Sequence, residues 1–430
     1  RQVFAHFMIG NTFGQGLSWF QQEIQIAQSM GIDGFILNVG FEDWQPARVA
    51  TMYQAASNLG FKVFISLDMA VIYSFTPEQL ANTFIVPFAN SPAQYKMGGR
   101  SYLTTFTGEN YSSGQQTEPA RLWLYFKNYL LSKNIGIFFV PVFTGRGATV
   151  QGWDALDGAS TWEMWTKTTD ALNYYMYLRD NASPSTSVRY GTLGNDPYSY
   201  YSGKVHMAGV SPLFFTHYGS KNFIYRDDFL YNARWQNIIT AMPDMVQIVS
   251  WNDYGESHYI GSLDPTVGDY YQEGSSSARD WTLTPNMNHQ ALGPITQYFI
   301  QTYKNGSPPA QFINRIFFSY RPHSMNAVAS GDSLPKPACG QPGNTPAEGC
   351  ALADNIYITV LATSTDVPFS FSLTSGSKVQ TFTVNTAGLS QLAFTNFQEG
   401  TPFITLPNGQ ILNGPGPISN TITKYNYNHY

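Results

Sequence analysis

Charge is scarce in this sequence. Asp, Glu, Lys and Arg together make up 12% of its 430 residues, about half the usual ~25%. The net charge is −5 and the Lys and Arg residues are scattered, so the electrostatic footprint of a nucleic-acid binder is missing. No apolar run reaches the ~18 residues of a membrane span; the candidate at 135–143 has the length of a buried strand. Cysteine occurs twice, at Cys339 and Cys350, in a stretch rich in Gly and Pro. Exposed thiols there would be a liability, so the pair is expected to form a disulfide, and closing so short a loop contributes ~2–3 kcal/mol in the chain-entropy model. His6, His206, His217 and His258 lack H-x-H or H-x-x-x-H spacing, so neither a metal site nor a cofactor is expected. No G-x-S-x-G elbow for a serine hydrolase is present, and the glycines at 10–16 lack the G-x-G-x-x-G order and the lysine of a phosphate loop.

Apolar and aromatic residues are plentiful. Hydrophobic residues reach 43%, which excludes disorder. Aromatics are 16%, with 9 Trp, 28 Tyr and 30 Phe. A surface poor in charge but rich in aromatic and amide groups suits a neutral, hydroxyl-covered ligand, that is, carbohydrate. The chain starts at Arg1 rather than Met and reads as a mature, processed form. Sequons at Asn110, Asn181 and Asn305 fit a secreted glycoprotein.

The first ~300 residues alternate apolar runs with amphipathic helices. The expected strands cover 3–9, 34–39, 62–69, 101–107, 137–143, 158–162, 205–212 and 245–253. Most are near-continuous hydrophobic runs, as parallel strands covered on both faces must be. Ser18 and Gln21 have the spacing of a capping box before Phe20, Ile24 and Ala27, and Gly31 ends that helix. Pro46 opens a second helix that ends at Gly60, and Thr76, Pro77 and Gln79 occupy the cap, first and third positions of another. Eight such βα units predict an α/β fold, a (β/α)8 TIM barrel, over 1–310. Beyond Gly306-Ser307-Pro308-Pro309 the helical period is lost. Short alternating runs separated by turns such as Ser375-Gly376 and Asn408-Gly409 predict an accessory antiparallel β-sandwich over 311–430. Assigning the cysteines to that sandwich implies that reducing them lowers stability but spares activity.

TIM-barrel active sites lie at the C-terminal ends of the strands, which narrows the candidates. The third strand ends at Asp68, the second offers Asn38 and the first His6. The sixth carries Asp157, Trp162, Glu163 and Trp165, and His217 follows the seventh. Most informative is the eighth, Trp251-Asn252-Asp253-Tyr254-Gly255-Glu256-Ser257-His258-Tyr259. Two carboxylates three residues apart supply an acid and a base, and glycine at 255 permits a φ > 0 turn that brings both over one cavity. Trp251 is read as a sugar platform, with Asn252 and Tyr254 as hydrogen-bonding partners and His258 and Tyr259 as further substrate-binding candidates. A surface loop with two solvated acids is the bland alternative; the preceding hydrophobic strand and the mixture with Trp, Tyr and His argue against it.

These segments, with Val3-Phe4-Ala5-His6-Phe7-Met8, Gly31-Ile32-Asp33-Gly34-Phe35, the run 61–69 ending in Asp68-Met69, the run 210–217 ending in Thr216-His217, and Tyr320-Arg321-Pro322-His323, resemble fungal α-1,3-glucanases, the mutanases of glycoside hydrolase family 71. The likeness spans nearly the whole chain in order. It implies a (β/α)8 barrel with a C-terminal β-sandwich, hydrolysis of α-1,3-glucan with inversion and without metal, and essential acids at Asp68, Asp253 and Glu256. One departure lies at 159–165, where the Trp-Glu-x-Trp core persists but its expected apolar and Pro neighbours do not. The expectation is a secreted, cell-wall-associated monomer acting on α-1,3-glucan, with no nucleic-acid or membrane partner. Glu256 protonates the leaving oxygen and Asp253 activates water, or the reverse. A barrel glycosidase of another linkage, α-mannosidase-like, and a non-catalytic glucan-binding protein are the competing readings.

Overall fold

The computed structural model of the chain describes residues 1–114, 118–143, 154–160, 162, 164–165, 204–225, 227–265, 271–310, 315–339 and 352–430. Its first strands are β1 Gln2–Met8, β2 Gly34–Val39, β3 Lys62–Asp68, β4 Arg100–Phe106, β5 Ile137–Phe139, β6 Gly158–Ser160 and β7 Val205–Val210. A hairpin follows, β8 Phe215–His217 and β9 Asn222–Ile224, and then β10 Met245–Ile248. β1–β7 and β10 are the eight expected strands. They pair in parallel in the order β5-β4-β3-β2-β1-β10-β7-β6. A parallel bridge between Val142 and Ser160, with Ser160 N–H donating to Pro141 O at 2.9 Å, joins the two ends. This is a (β/α)8-like fold.

Helices α1 Leu17–Ser29, α2 Gln45–Leu59, α3 Pro77–Leu80, α4 Pro119–Ser132, α5 Leu230–Ala241 and α6 Leu292–Asn305 lie between and after the strands. The connections at 144–153 and 166–203, where further helices are expected, lie outside the described residues. Thr76 is the N-cap of α3 as expected, and with Gln79 it forms a reciprocal capping box; Gly60 closes α2 at φ 65°. The capping box expected at Ser18 and Gln21 does not form: α1 begins two residues earlier, with Gly16 at its N-cap and no side-chain cap. Among the described residues no helix is long and apolar enough to cross a membrane.

Side chains alternate across a strand, so every second residue of a barrel strand points inward. Phe4, Ile36, Phe64, Tyr102, Phe138, Met207 and Met245 supply an apolar layer from seven strands. Two residues further along β1–β4 and β10 stand His6, Asn38, Ser66, Thr104 and Gln247, all buried. One more step along β3 reaches Asp68 at the rim. The barrel interior thus changes from apolar to polar toward its C-terminal mouth.

The C-terminal strands are β11 Arg315–Ser319, β12 Ala338–Cys339, β13 Ile356–Ala362, β14 Phe369–Ser375, β15 Lys378–Val384, β16 Gly388–Phe394, β17 Phe403–Thr405 and β18 Ile411–Asn413. Two antiparallel sheets result, β11-β13-β16 and β15-β14-β17-β18. Both contribute to one apolar cluster. β13 is buried along its whole length because its two faces meet different partners. Ile356, Ile358 and Val360 join that cluster, whereas Thr359 Oγ1 accepts from Asn232 Nδ2 of α5 at 2.8 Å. A buried ion pair ties the two parts together: Arg321 Nη1 and His429 Nε2 each lie 2.7 Å from Asp227 Oδ2.

β12 departs from expectation. It pairs in parallel with β9 of the barrel hairpin, Ile224 opposite Cys339. The backbone at Cys339 therefore abuts the mouth of the barrel, which removes the reason for expecting a disulfide there to be irrelevant to activity. The Cys339 side chain and Cys350 lie outside the described residues.

Candidate active site

The segment following β10 is held over the barrel mouth by its own backbone. Trp251 N–H donates to His6 O at 2.7 Å, and Asn252 pins the end of β1, its Oδ1 accepting from Met8 N–H at 2.7 Å and its Nδ2 donating to Met8 O at 3.1 Å. Ser250 N–H donates to His258 O at 2.8 Å, which closes the segment into a loop. Inside that loop one helical turn, Tyr254–Glu256, carries Glu256, and Asp253 stands at its N-cap. The left-handed residue that reverses the chain is Ser257, at φ 63°, and not Gly255 as expected. Gly255 is required for space: a Cβ there would stand 2.9 Å from Tyr218 Oη.

Asp253 and Glu256 converge on His258. Its Nε2 lies 2.8 Å from Glu256 Oε2 and 3.9 Å from Asp253 Oδ2. Ser250 Oγ accepts from Asp253 N–H at 2.9 Å and meets His258 Nδ1 at 2.9 Å. Ser250 Oγ thereby fixes the orientation of the imidazole, with Nε2 turned toward Glu256. Trp165 stacks on the imidazole at 5.5 Å. From the β8–β9 hairpin, Lys221 Nζ reaches Glu256 Oε1 at 3.1 Å. Both carboxylate side chains retain 17% exposure, enough to meet a ligand.

Their environments separate the two acids. Burial, reinforced by the neighbouring Glu256 charge, pushes Asp253 up to about 6. Burial acts on Glu256 in the same direction, but Lys221 and His258 outweigh it and hold that carboxyl well below the usual range. The pair therefore keeps one proton between them in mildly acidic solution, the condition for acid–base work by two carboxyls.

Asp68 stands at the rim within electrostatic reach of Glu256 and Lys221. Asn38 Nδ2 donates to its Oδ2 and Ala70 N–H to its Oδ1, both at 3.1 Å. Burial raises this carboxyl. His6 is buried against Trp162, ring centroids 4.9 Å apart, and burial with the charge of His258 lowers its pKa to about 3, keeping it neutral. His6 Nδ1 has no hydrogen-bond partner among the described residues.

Other sequence candidates belong to the scaffold. Trp251 is no platform: it is fully buried, packs on Phe35 at 5.0 Å and donates from Nε1 to Glu23 Oε2 at 2.6 Å. Tyr254 is buried and donates to Ser262 O at 3.0 Å; Tyr259 is buried, stacks on His289 and donates to Met287 O at 2.6 Å. Asn252 spends its amide on β1, and His217 is buried between Asn222 and Asp332. Asp157 lies at the opposite, N-terminal end of β6, paired with Arg100 and Lys127, each at 2.8 Å. Glu163 lies outside the described residues, as does the sequon at Asn181, whereas Asn110 and Asn305 are exposed. Lys221, Tyr218 and Ser250 were missed, because an isolated hairpin lysine, tyrosine or serine carries no sequence signal of its own.

Asp253, Glu256 and His258 each place a ligand atom within 4.8 Å of the others, close enough to surround a cation. The donor set does not fit one: His258 Nε2 is already engaged with Glu256 Oε2 at 2.8 Å, and the Lys221 ammonium balances that carboxylate from 3.1 Å. A separate cavity of about 290 Å³, lined by Leu230, Ile295, Phe317, Tyr357 and Asp227 among others, contains none of the candidate acids.

A (β/α)8-like barrel whose C-terminal mouth presents two carboxyls with divided proton affinity has the architecture of a glycosidase. The chain belongs to glycosyl hydrolase family 71, whose model matches residues 1–430. It is 32% identical over 437 residues to the glucan endo-1,3-alpha-glucosidase agn1 of Schizosaccharomyces pombe, covering 100% of this chain and 94% of that protein. It is 30% identical over 439 residues to a mutanase of Penicillium rubens, covering 100% and 88%. A solved GH99 endo-alpha-mannosidase from Bacteroides thetaiotaomicron covers 71% of this chain and 98% of its own, with 12% identity and a TM-score of 0.49.

Proposed function

We propose that this glycosyl hydrolase cleaves α-1,3-glucosidic bonds of α-1,3-glucan with Asp253 and Glu256 as its acid–base pair. The observation that carries the reading is their convergence on His258 at the barrel mouth, with Lys221 on one of them. Two full-length relatives with α-1,3-glucanase or mutanase names support the substrate. One carboxyl protonates the departing glycosidic oxygen while the other takes a proton from the attacking water; in the resting enzyme the shared proton resides on Asp253. Asp68, oriented by Asn38, holds a sugar hydroxyl, and Trp162 with His6 forms the aromatic wall of the cleft.

Inversion follows from the family resemblance and runs against the resting distance. Nearest oxygens of Asp253 and Glu256 lie within 4.8 Å, whereas inverting pairs stand ~6.5–9.5 Å apart. His258 draws both acids inward, and a sugar entering between them takes that space. The two C-terminal sheets, sharing one core, are read as a β-sandwich accessory domain over 311–430 beside a catalytic barrel over 1–310. Secretion to the cell wall as a monomer, a Cys339–Cys350 disulfide and N-glycans on Asn110 and Asn305 complete the reading. Release of reducing sugar from a panel of polysaccharides tests it: α-1,3-glucan is the expected substrate, and inertness toward it with activity on an α-mannan selects the other linkage.

A further inference from the structure

Lys221 occupies an unusual position for a side chain in the heart of a site. It is 52% exposed and sits at the end of the short link 218–221 between β8 and β9. An exposed lysine on a hairpin tip wanders over many rotamers unless the hairpin itself is fixed. Here it is fixed from outside the barrel. β9 pairs with β12, Phe223 opposite Ala338 and Ile224 opposite Cys339, and Asn222 Nδ2 donates to Pro335 O at 2.8 Å. His217 has both ring nitrogens engaged, Nδ1 with Asn222 Oδ1 at 2.6 Å and Nε2 with Asp332 Oδ2 at 2.8 Å. The His217 and Asp332 side chains are only 2% and 3% exposed. Asp332 is anchored in turn, accepting from Leu334 N–H at 3.0 Å and from Tyr425 N–H of the C-terminal tail at 2.8 Å.

We propose that the segment 332–339 is a clamp that positions Lys221, with Asp332 and His217 as positioning residues that hold its ammonium against the Glu256 carboxylate. The inference rests on the reading of Asp253 and Glu256 as the acid–base pair and goes beyond it. It gives the C-terminal half of the chain a part in the chemistry, exerted through the hairpin and without contact to substrate.

Among the described residues, the titratable groups facing Glu256 are Asp253 and His258 from its own loop, Lys221 and Tyr218 from the hairpin, His6 from β1 and Asp68 from β3. Of these Lys221 is the one permanent cation in the neutral range. Losing its charge leaves three carboxyls together with only imidazoles to offset them, so both proton affinities of the pair rise.

The test compares full-length Lys221→Met, Lys221→Arg, Asp332→Asn and the Met/Asn double variant. kcat/KM is followed against pH on soluble α-1,3-linked glucose oligomers, with Tm measured alongside. Lys221→Met is expected to move the acid limb upward by about one pH unit, the effect of removing an opposite charge at this range, and to lower kcat/KM at least ~10-fold, with Lys221→Arg restoring the limb. Asp332→Asn should move the same limb while Lys221 is still present, and the double variant should move it no further. If Asp332→Asn lowers Tm but leaves the limb in place, the segment merely stabilises the fold and the proposal is wrong. An unmoved limb in Lys221→Met overturns it equally. Should Asp332→Asn fail to fold, Asn222→Ala, which removes the contacts to His217 and Pro335, takes its place. A wild-type protein inert on the oligomers would refute the α-1,3-glucan reading by itself. The clamp is then judged by NMR titration of the Glu256 carboxyl, which must shift in both Lys221→Met and Asp332→Asn.

Discussion

Gly255 and Tyr218 are in contact so close that no side chain fits between them. A methyl group on residue 255 would lie 2.9 Å from Tyr218 Oη and 3.6 Å from Asp253 Oδ1. Tyr218 cannot easily withdraw, because its hydroxyl donates to Tyr271 O at 3.0 Å. The hairpin bearing Lys221 and the loop bearing both acids are thus seated on each other through a glycine. Gly255→Ala should reduce kcat at least ~10-fold, since small misplacements of catalytic groups are costly, while Tm falls by only a few degrees. An alanine variant of wild-type activity would show that the seating is slack.

Neutralising either acid should remove ~10²–10⁴-fold of kcat, the usual worth of acid–base catalysis. Asp253→Asn and Glu256→Gln should both keep the far-ultraviolet circular dichroism of the parent. A substrate with a good leaving group separates their roles. On an α-1,3-glucosyl oligosaccharide fluoride, which needs no acid, one variant recovers most of its activity and the other does not. Recovery by both, or by neither, contradicts a division of labour between them.

The pH profile of kcat/KM should be bell-shaped. As pH rises through about 6 the carboxyl of Asp253 ionises, the pair loses its shared proton, and the acid is gone. As pH falls, a second proton goes onto the Glu256 carboxylate and the base is lost; Lys221 and His258 delay this to strongly acidic solution. The optimum therefore lies in the mildly acidic range, on the acid side of pH 6. An optimum above pH 8 would mean that the proton stored on the pair is not the one used.

Asp227 governs acid stability. Burial acts to raise its carboxyl, but Arg321 and His429 outweigh burial and bring it to about 2. A carboxyl with folded pKa below its ordinary value of 3.8 stabilises the fold above that pH and loses this contribution as pH falls toward 2. Asp227→Asn leaves Arg321 without its principal partner in a site where both side chains are 1% exposed, a loss of about 3–5 kcal/mol. Denaturant unfolding at pH 7 and pH 3 checks both statements: the variant's deficit should shrink at the lower pH.

Stereochemistry can be read directly. Proton NMR in the first minutes of hydrolysis, before mutarotation, should show β-anomeric ends appearing first from the α-linked substrate. An α-anomer first would mean that the close spacing of Asp253 and Glu256 reports a retaining pair.

Periodicity and local chemistry sufficed for the framework. Near-continuous apolar runs marked most of the eight parallel strands because a strand covered on both faces has no polar side to display. Strand-end position pointed to Asp68, Asn38 and His6, and the two acids after β10 were visible as a pair. Those are properties of neighbours in the chain. Which side chains face the cleft was decided by tertiary structure alone. Trp251 looks like a platform in sequence, yet Glu23 of α1 takes its indole N–H and closes it into the core. Gly255 looks like a turn residue, yet its role is set by a tyrosine 37 positions earlier. Lys221 is silent in sequence and gains its meaning 3.1 Å from Glu256, with Asp332, more than a hundred residues on, bonded to the hairpin that carries it. Hydrophobic period is a short-range signal, repeated over many residues, and so can be read along the chain. Proton affinity depends on single charges a few ångströms away, and only the folded chain places them.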